Sequence, residues 1–171
     1  CMTHFFTRYL SDLVYGANDG IITTFAIVAS AAGASLEVSV LLILGFANLL
    51  ADGFSMGSSS YLSVSSERDV DRVHGNDTSE DRPLRSGVVT FGAFVLAGIL
   101  PLLPFLFPTG ALLSPYQLSL AATGLAFFLI GGARSFITRR SFLTSGLEML
   151  LVGGVAAGIA FSVGWFIEGL V

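Results

Sequence analysis

Residues 38–62 read VSVLLILGFANLLADGFSMGSSSYL. The run is apolar over the roughly 20 residues that a spanning helix needs, yet Asn48 and Asp52 sit in its middle. An ionised acid at that depth costs roughly 2.5–3.5 kcal/mol on insertion scales. The pattern recurs upstream, where Asn18-Asp19-Gly20 heads an apolar stretch that continues to Gly33. Acids carried into hydrocarbon face a bundle interior or a water-filled path, and they mark ion routes. The rest of the chain agrees with a membrane setting. Of its 171 residues, 53% are hydrophobic and 12% charged, too little charge for a soluble domain of this length.

Apolar windows predict an all-α membrane protein, one transmembrane domain over residues 1–171, with five helices at about 14–34, 38–70, 87–107, 115–133 and 145–167. The second continues as Ser-rich helix beyond the bilayer. Pro101, Pro104 and Pro108 are expected to kink or end the third near its C-terminal third. Turns are expected at Gly33–Ser35 and at 108–115, and a short cytoplasmic loop over about 67–85. The chain has no Lys, and its eight Arg sort to one side. Arg8 precedes the first span. Arg68, Arg72, Arg82 and Arg85 lie between the second and third, and Arg134, Arg139 and Arg140 between the fourth and fifth. Cations stay cytoplasmic, so the N-terminus is expected in the cytoplasm and the C-terminus outside. An extra or missing span would spoil the sorting. The alternative for the first stretch is a re-entrant or interfacial segment.

At about 100° per residue, the second helix gathers Asn48, Asp52, Ser55, Met56, Ser59 and Ser63 on one arc. Leu41, Leu42, Leu50, Phe54 and Leu62 take the other faces. The first helix offers a matching face, because seven residues return to within about 20°. Asp12, Tyr15 and Asp19 share it, and Thr23 and Ala26 extend it. Other roles stand open for each of these groups. Ser, Asn and a protonated Asp also bridge membrane helices. Met56 is also core filler, and Asn18-Asp19-Gly20 also reads as a helix N-cap. Glu148, about one turn inside the fifth span, is a further candidate ligand or a snorkelling acid. Gly154 and Gly158 form a small-xxx-small packing cue.

Carboxylate oxygens suit Mg, Ca, Mn and Fe(II), whereas a thioether suits softer ions. Together they point to Fe(II), with Mn(II), Co(II) and Zn(II) as competitors. Neither His nor Cys falls within a predicted span. His4 and His74 lie in water-facing segments, and Cys1 is the sole cysteine, which excludes an internal disulfide or a Cys cage. Cys1 in place of an initiator Met is expected to be a trimmed end, and the first stretch, with Asp19 and no basic n-region, is not expected to be a cleaved signal peptide. No basic patch with aromatics suggests nucleic acid. No nucleophile–base pair, phosphate loop or cofactor fingerprint suggests an enzyme.

Five stretches carry a resemblance. They are Gly16-Ala-Asn-Asp19-Gly20-Ile-Ile-Thr-Thr; Gly45 to Met56 with Tyr61-Leu-Ser63; Gly98-Ile-Leu-Pro-Leu-Leu-Pro104; Gly131-Gly-Ala-Arg134; and Glu148-Met-Leu-Leu-Val-Gly-Gly154. Together they resemble the vacuolar iron transporter family, in its short-loop branch, which includes bacterial and nodulin-like members. The resemblance implies a homodimer of five-helix protomers with a path between them. It implies Fe(II), often Mn(II), leaving the cytosol in exchange for protons, across a vacuolar membrane in plants and fungi or a plasma membrane in prokaryotes. Asp19 would be the membrane metal ligand and Met56 a ligand nearer the cytoplasmic mouth. The chain departs from the vacuolar type in three ways. It lacks a large Glu-rich insertion after the second helix. It has Ser59-Ser60-Tyr61 in place of Gly-Glu-Tyr. Asn48 stands where an acid is expected, with Asp52 one turn on. The acids of its loop (Glu67, Asp69, Asp71, Asp77, Glu80, Asp81) either pair with the loop arginines or form a weak metal funnel.

Overall fold

The computed structural model describes residues 2–76, 82–107, 114–138 and 141–170. Every regular element among them is helical: α1 (Met2–Gly33), α2 (Val38–Val73), α3 (Pro83–Gly98), α4 (Leu103–Leu106), α5 (Pro115–Thr138) and α6 (Phe142–Glu168). Four helices, α1, α2, α5 and α6, are long and apolar enough to cross a membrane. α2 has 36 residues, or about 54 Å of helix, well beyond a hydrocarbon core of about 30 Å. The overhang expected at its C-terminal end is therefore present.

α1 is unbroken from Met2 to Gly33. Asn18-Asp19-Gly20 lies inside it, which removes the N-cap reading. Its end is a Schellman turn: Leu36 N–H donates to Ala31 C=O at 2.9 Å, and Ser35 takes the left-handed conformation at φ 50°. The chain then reverses into α2.

The third predicted span differs most. Helix was expected over about 87–107; α3 has 16 residues and stops at Gly98, and a turn precedes the four-residue α4. Pro101 and Pro104 each lack an N–H, so two helical hydrogen bonds cannot form. The turn survives because its polar backbone is sealed and satisfied. Pro101 and Leu102 are buried, and Ser119 of α5 donates its hydroxyl to the Pro101 carbonyl at 2.7 Å. Residues 108–113, where the next turn was expected, lie outside the described residues.

Glycine sets the depth of contact between helices. α1 runs parallel to α3, and a Cβ on Gly20 would strike the Phe94 backbone. α2 runs antiparallel to α3, where Gly57 and Gly87 face each other. A Cβ on either would lie 2.8 or 2.6 Å from the other's carbonyl oxygen. The core between them holds Ile21, Leu41, Leu49, Phe94 and Leu102, all sealed, and Phe25 meets Phe127 edge to face at 6.2 Å. α6 packs on α1 and α5 through small residues, Ser145, Gly146, Gly153 and Gly164. The expected Gly154–Gly158 pair is not among them: both glycines have open space around them. Large apolar side chains such as Phe54, Leu151, Ile159 and Trp165 cover the outer surface.

This topology brings the starts of α1, α3 and α6 and the ends of α2 and α5 to one end of the bundle. Arg8, Arg68, Arg72, Arg82, Arg85 and Arg134 all lie in helix or cap positions there. Arg139 and Arg140 lie outside the described residues.

Close contact at Gly20 leaves no space for a methyl group. Gly20→Ala should destabilise by about 1–3 kcal/mol through overpacking, whereas Gly154→Ala should stay within about 0.5 kcal/mol of the parent. Thermal melts of the detergent-solubilised proteins read the difference, at about 2–4 °C per kcal/mol.

Candidate functional site

The polar faces of α1 and α2 meet along an open groove of about 560 Å³. Asp12 and Tyr15 line it from α1, Ser55, Met56, Ser59, Ser60, Ser63 and Glu67 from α2, and Thr90 from α3. The α2 wall repeats at three- and four-residue steps, as one face of a helix does. The other side of α2 is buried at Leu41, Gly45, Leu49, Gly53 and Gly57, which seat it on its neighbours. The polar arc therefore lies beside the packed face, half-covered and accessible from the groove.

Depth along the groove follows from the helix contacts. Asp12 lies level with Ser60 and Ser86, because the Ser86 hydroxyl donates to Asp12 Oδ2 at 2.6 Å and lies 2.8 Å from Ser60 Oγ. Asp19 and Asp52 lie deeper, beyond the residues that line the groove. Their neighbours Gly20 and Gly53 both abut Phe94, so the two acids share one level. Asp12 and Asp19 are about 10 Å apart along α1, at about 1.5 Å per residue. Glu67 is at the outer mouth, and Met56 lies between the outer and inner acids.

Within the inner group, Asn48 Nδ2 donates to Asp52 Oδ2 at 2.6 Å. The amide neutralises part of a carboxylate that would otherwise stand unpartnered. Thr23 is engaged differently from the expectation. Its hydroxyl donates to the Asp19 backbone carbonyl at 2.8 Å and does not line the groove. Glu148 is not brought to the groove either: it is exposed on α6, away from α2. Among the described residues, no three of His, Cys, Asp and Glu come close enough to hold a metal ion. The donor set in one chain is thus acids in pairs, with an amide, a thioether and hydroxyls.

Three contributors escaped the sequence analysis. Ser86 and Thr90 sit one turn apart on α3, both buried, and Ser60 had been noted only as a departure from a motif. The Ser-x-x-x-Thr spacing inside an apolar segment was the available signal.

A model described as the VIT family matches residues 10–80 and 71–165. The chain belongs to the VIT family. Vacuolar iron transporter homolog 4 of Arabidopsis thaliana is 27% identical over 166 residues, covering 90% of this chain and 81% of the relative. The vacuolar iron transporter of Toxoplasma gondii is 25% identical over 227 residues, covering 94% and 74%. That of Plasmodium falciparum is 43% identical over a shorter 60 residues, 35% of this chain and 22% of the relative. VIT-family membership makes this chain an integral membrane protein of a transporter family and not an enzyme. The apolar outer surface follows from it.

The Asn48–Asp52 bond gives a direct test of how the VIT chain shelters its inner acid. Asn48→Ala should cost about 1 kcal/mol, the penalty for a half-buried carboxylate stripped of its donor. Ser59→Ala, at an exposed hydroxyl, should cost less than about 0.5 kcal/mol. Melting temperatures in the same detergent rank the two.

Proposed function

We propose that this VIT protein carries a divalent transition metal, Fe(II) or Mn(II), out of the cytosol in exchange for protons. The observation that carries this reading is the groove. Glu67, Asp12 and Met56 line it along polar faces that would otherwise meet lipid, and the Asp19–Asp52 level lies about one helical turn beyond Met56, beside Phe94. The relatives' names, vacuolar iron transporter, favour iron as cargo.

Each group has a role in this reading. Glu67 and Asp12 draw a hydrated dication into the mouth. The Met56 sulfur adds a soft donor, which favours Fe(II), and after it Mn(II), Co(II) or Zn(II), over Mg or Ca. Asp19 and Asp52 together offset both positive charges at bilayer depth, where a lone dication is most costly. As the metal leaves, protons take its place on these carboxylates, and the returning protons complete the exchange. Asn48 holds Asp52 between cycles. Glu148 and Thr23, outside the groove, take no part.

The carrier is a homodimer in this reading. The groove is open along one side, and one chain supplies acids only in pairs, so a second copy with its own α1 and α2 would close the path and complete the ligand set. α3, the buried turn and α4 together make a fifth crossing. In this reading the arginine-bearing end, with the N-terminus, faces the cytoplasm by the charge rule, and the C-terminus faces outside. The chain fits a short-loop branch. The Toxoplasma alignment needs 227 positions against 166 for homolog 4, for a similar share of this chain, and the family match divides over residues 71–80 at the end of α2. The vacuolar membrane, or the plasma membrane in a prokaryote, is its location.

Uptake of Fe(II) and Mn(II) into proteoliposomes under a pH gradient tests the carrier. Asp19→Ala and Met56→Ala should each cut the metal-dependent rate by at least roughly tenfold, the scale of losses at metal sites, with dissipation of the gradient falling in step. Parent-like transport by both variants would remove the site. An unchanged rate without a pH gradient would remove the proton coupling.

A further inference from the structure

We propose that Ser86 of α3 is a positioning residue for the outer acid: its hydroxyl holds the Asp12 carboxylate in the groove and so sets the affinity of the first binding step. This rests on the carrier reading above and adds a third helix to it. α3 carries no acid and entered the functional site through no motif.

The geometry is directional. Ser86 is 3% exposed, and its single hydroxyl proton goes to Asp12 Oδ2 at 2.6 Å. An ionised carboxylate only accepts. The Ser86 oxygen, 2.8 Å from Ser60 Oγ, is therefore the acceptor of the Ser60 proton. The line Ser60 to Ser86 to Asp12 thus runs one way and ties α2, α3 and α1 together at one level. The exposed serines Ser66 and Ser162 bond their own helix backbone at 2.8 Å. Ser86 reaches across to a carboxylate instead.

Two consequences matter for a cation. An aspartate on an open helix face samples several rotamers, and binding would have to freeze them. The Ser86 bond freezes them beforehand, which strengthens binding without adding a ligand. Thr90, one turn further on α3, lines the same groove with a buried hydroxyl that has no partner. α3 thus turns two hydroxyls toward the groove, one engaged by Asp12 and one free.

The test is a double-mutant cycle read as Mn(II) transport into proteoliposomes, with Mn(II) binding to the detergent-solubilised protein measured alongside. Ser86→Ala should raise the half-saturating Mn(II) concentration roughly five- to tenfold, as loss of a hydrogen bond to a charged group does. The maximal rate should change by less than about twofold, because the inner acids are untouched. In an Asp12→Ala background, Ser86→Ala should add nothing, and Ser86→Thr should restore most of the affinity. Ser60→Ala, at a less buried position, should shift affinity in the same direction by about twofold through the weakened line. It carries the test if Ser86→Ala does not fold. Equal effects of Ser86→Ala, or of Ser60→Ala, with and without Asp12 would mean plain packing and overturn the assignment. So would a parent-like Ser86→Ala in a protein that loses transport on Asp19→Ala, leaving the carrier reading intact. A parent that neither binds nor transports Mn(II) or Fe(II) would overturn both.

Discussion

The backbone of α1 lies against the backbone of α3, and that contact decides where the acids of α1 point. Gly16 and Gly20 have no side chain to hold the helices apart, so the adjoining face, with Asp12 and Asp19, is turned toward α2. α2 is seated on α3 in the same way, through Gly57 against Gly87. Two close contacts on one central helix therefore orient both polar faces into one groove. Membrane helices gain nothing from the hydrophobic effect between themselves, and close backbone approach is a main source of their packing energy. Here the contact that supplies this energy also keeps the carboxylates off lipid.

Much of this was legible in the sequence, and for physical reasons. The lengths of α1, α2, α5 and α6 follow from bilayer thickness, and the gathering of arginines at one end follows from the charge rule. The polar arc of α2 follows from helical periodicity alone, because Asn48, Asp52, Met56 and Ser59 need only sit on a regular helix to share a face. The N-terminal extension of α1 to Met2 was missed, since residues 2–8 are amphipathic and not apolar. The break after Gly98 was expected from the prolines, which announce a break but not its geometry. That depended on Ser119, a residue of another helix, satisfying the Pro101 carbonyl.

Spacing also tells nothing about which neighbour a face meets. Gly154 and Gly158 carry a packing pattern yet look outward, while Gly153, beside them in sequence, accepts the Phe127 ring. One residue of rotation separates a packed glycine from an open one. The same limit hid Ser86. A single serine in an apolar helix has no pattern, and only the arrival of Asp12 across the α1–α3 contact gives its hydroxyl a purpose. Glu148 shows the converse, an acid in a motif-bearing stretch that the fold leaves on an outer face.

A carrier must bind its ion and also let it go, and the inner acids suit that requirement through their partners. Asp52 without a cation is not bare, because the Asn48 amide lies 2.6 Å from it. An arriving dication competes with a hydrogen bond already made, so the net gain is smaller than for an unpartnered carboxylate. At Asp12 the Ser86 hydroxyl engages Oδ2 alone, which fixes the carboxylate's rotamer and leaves Oδ1 for the cation. Two acids at the Asp19–Asp52 level bring two negative charges to the depth where a dication is otherwise most costly. Binding at the inner level is thus strengthened by the paired charge and moderated by the Asn48 amide. A cage of His or Cys would hold a transition metal more tightly. Hard acids, with neutral donors on Asp12 and Asp52 and one thioether nearby, are what a reversible metal route requires.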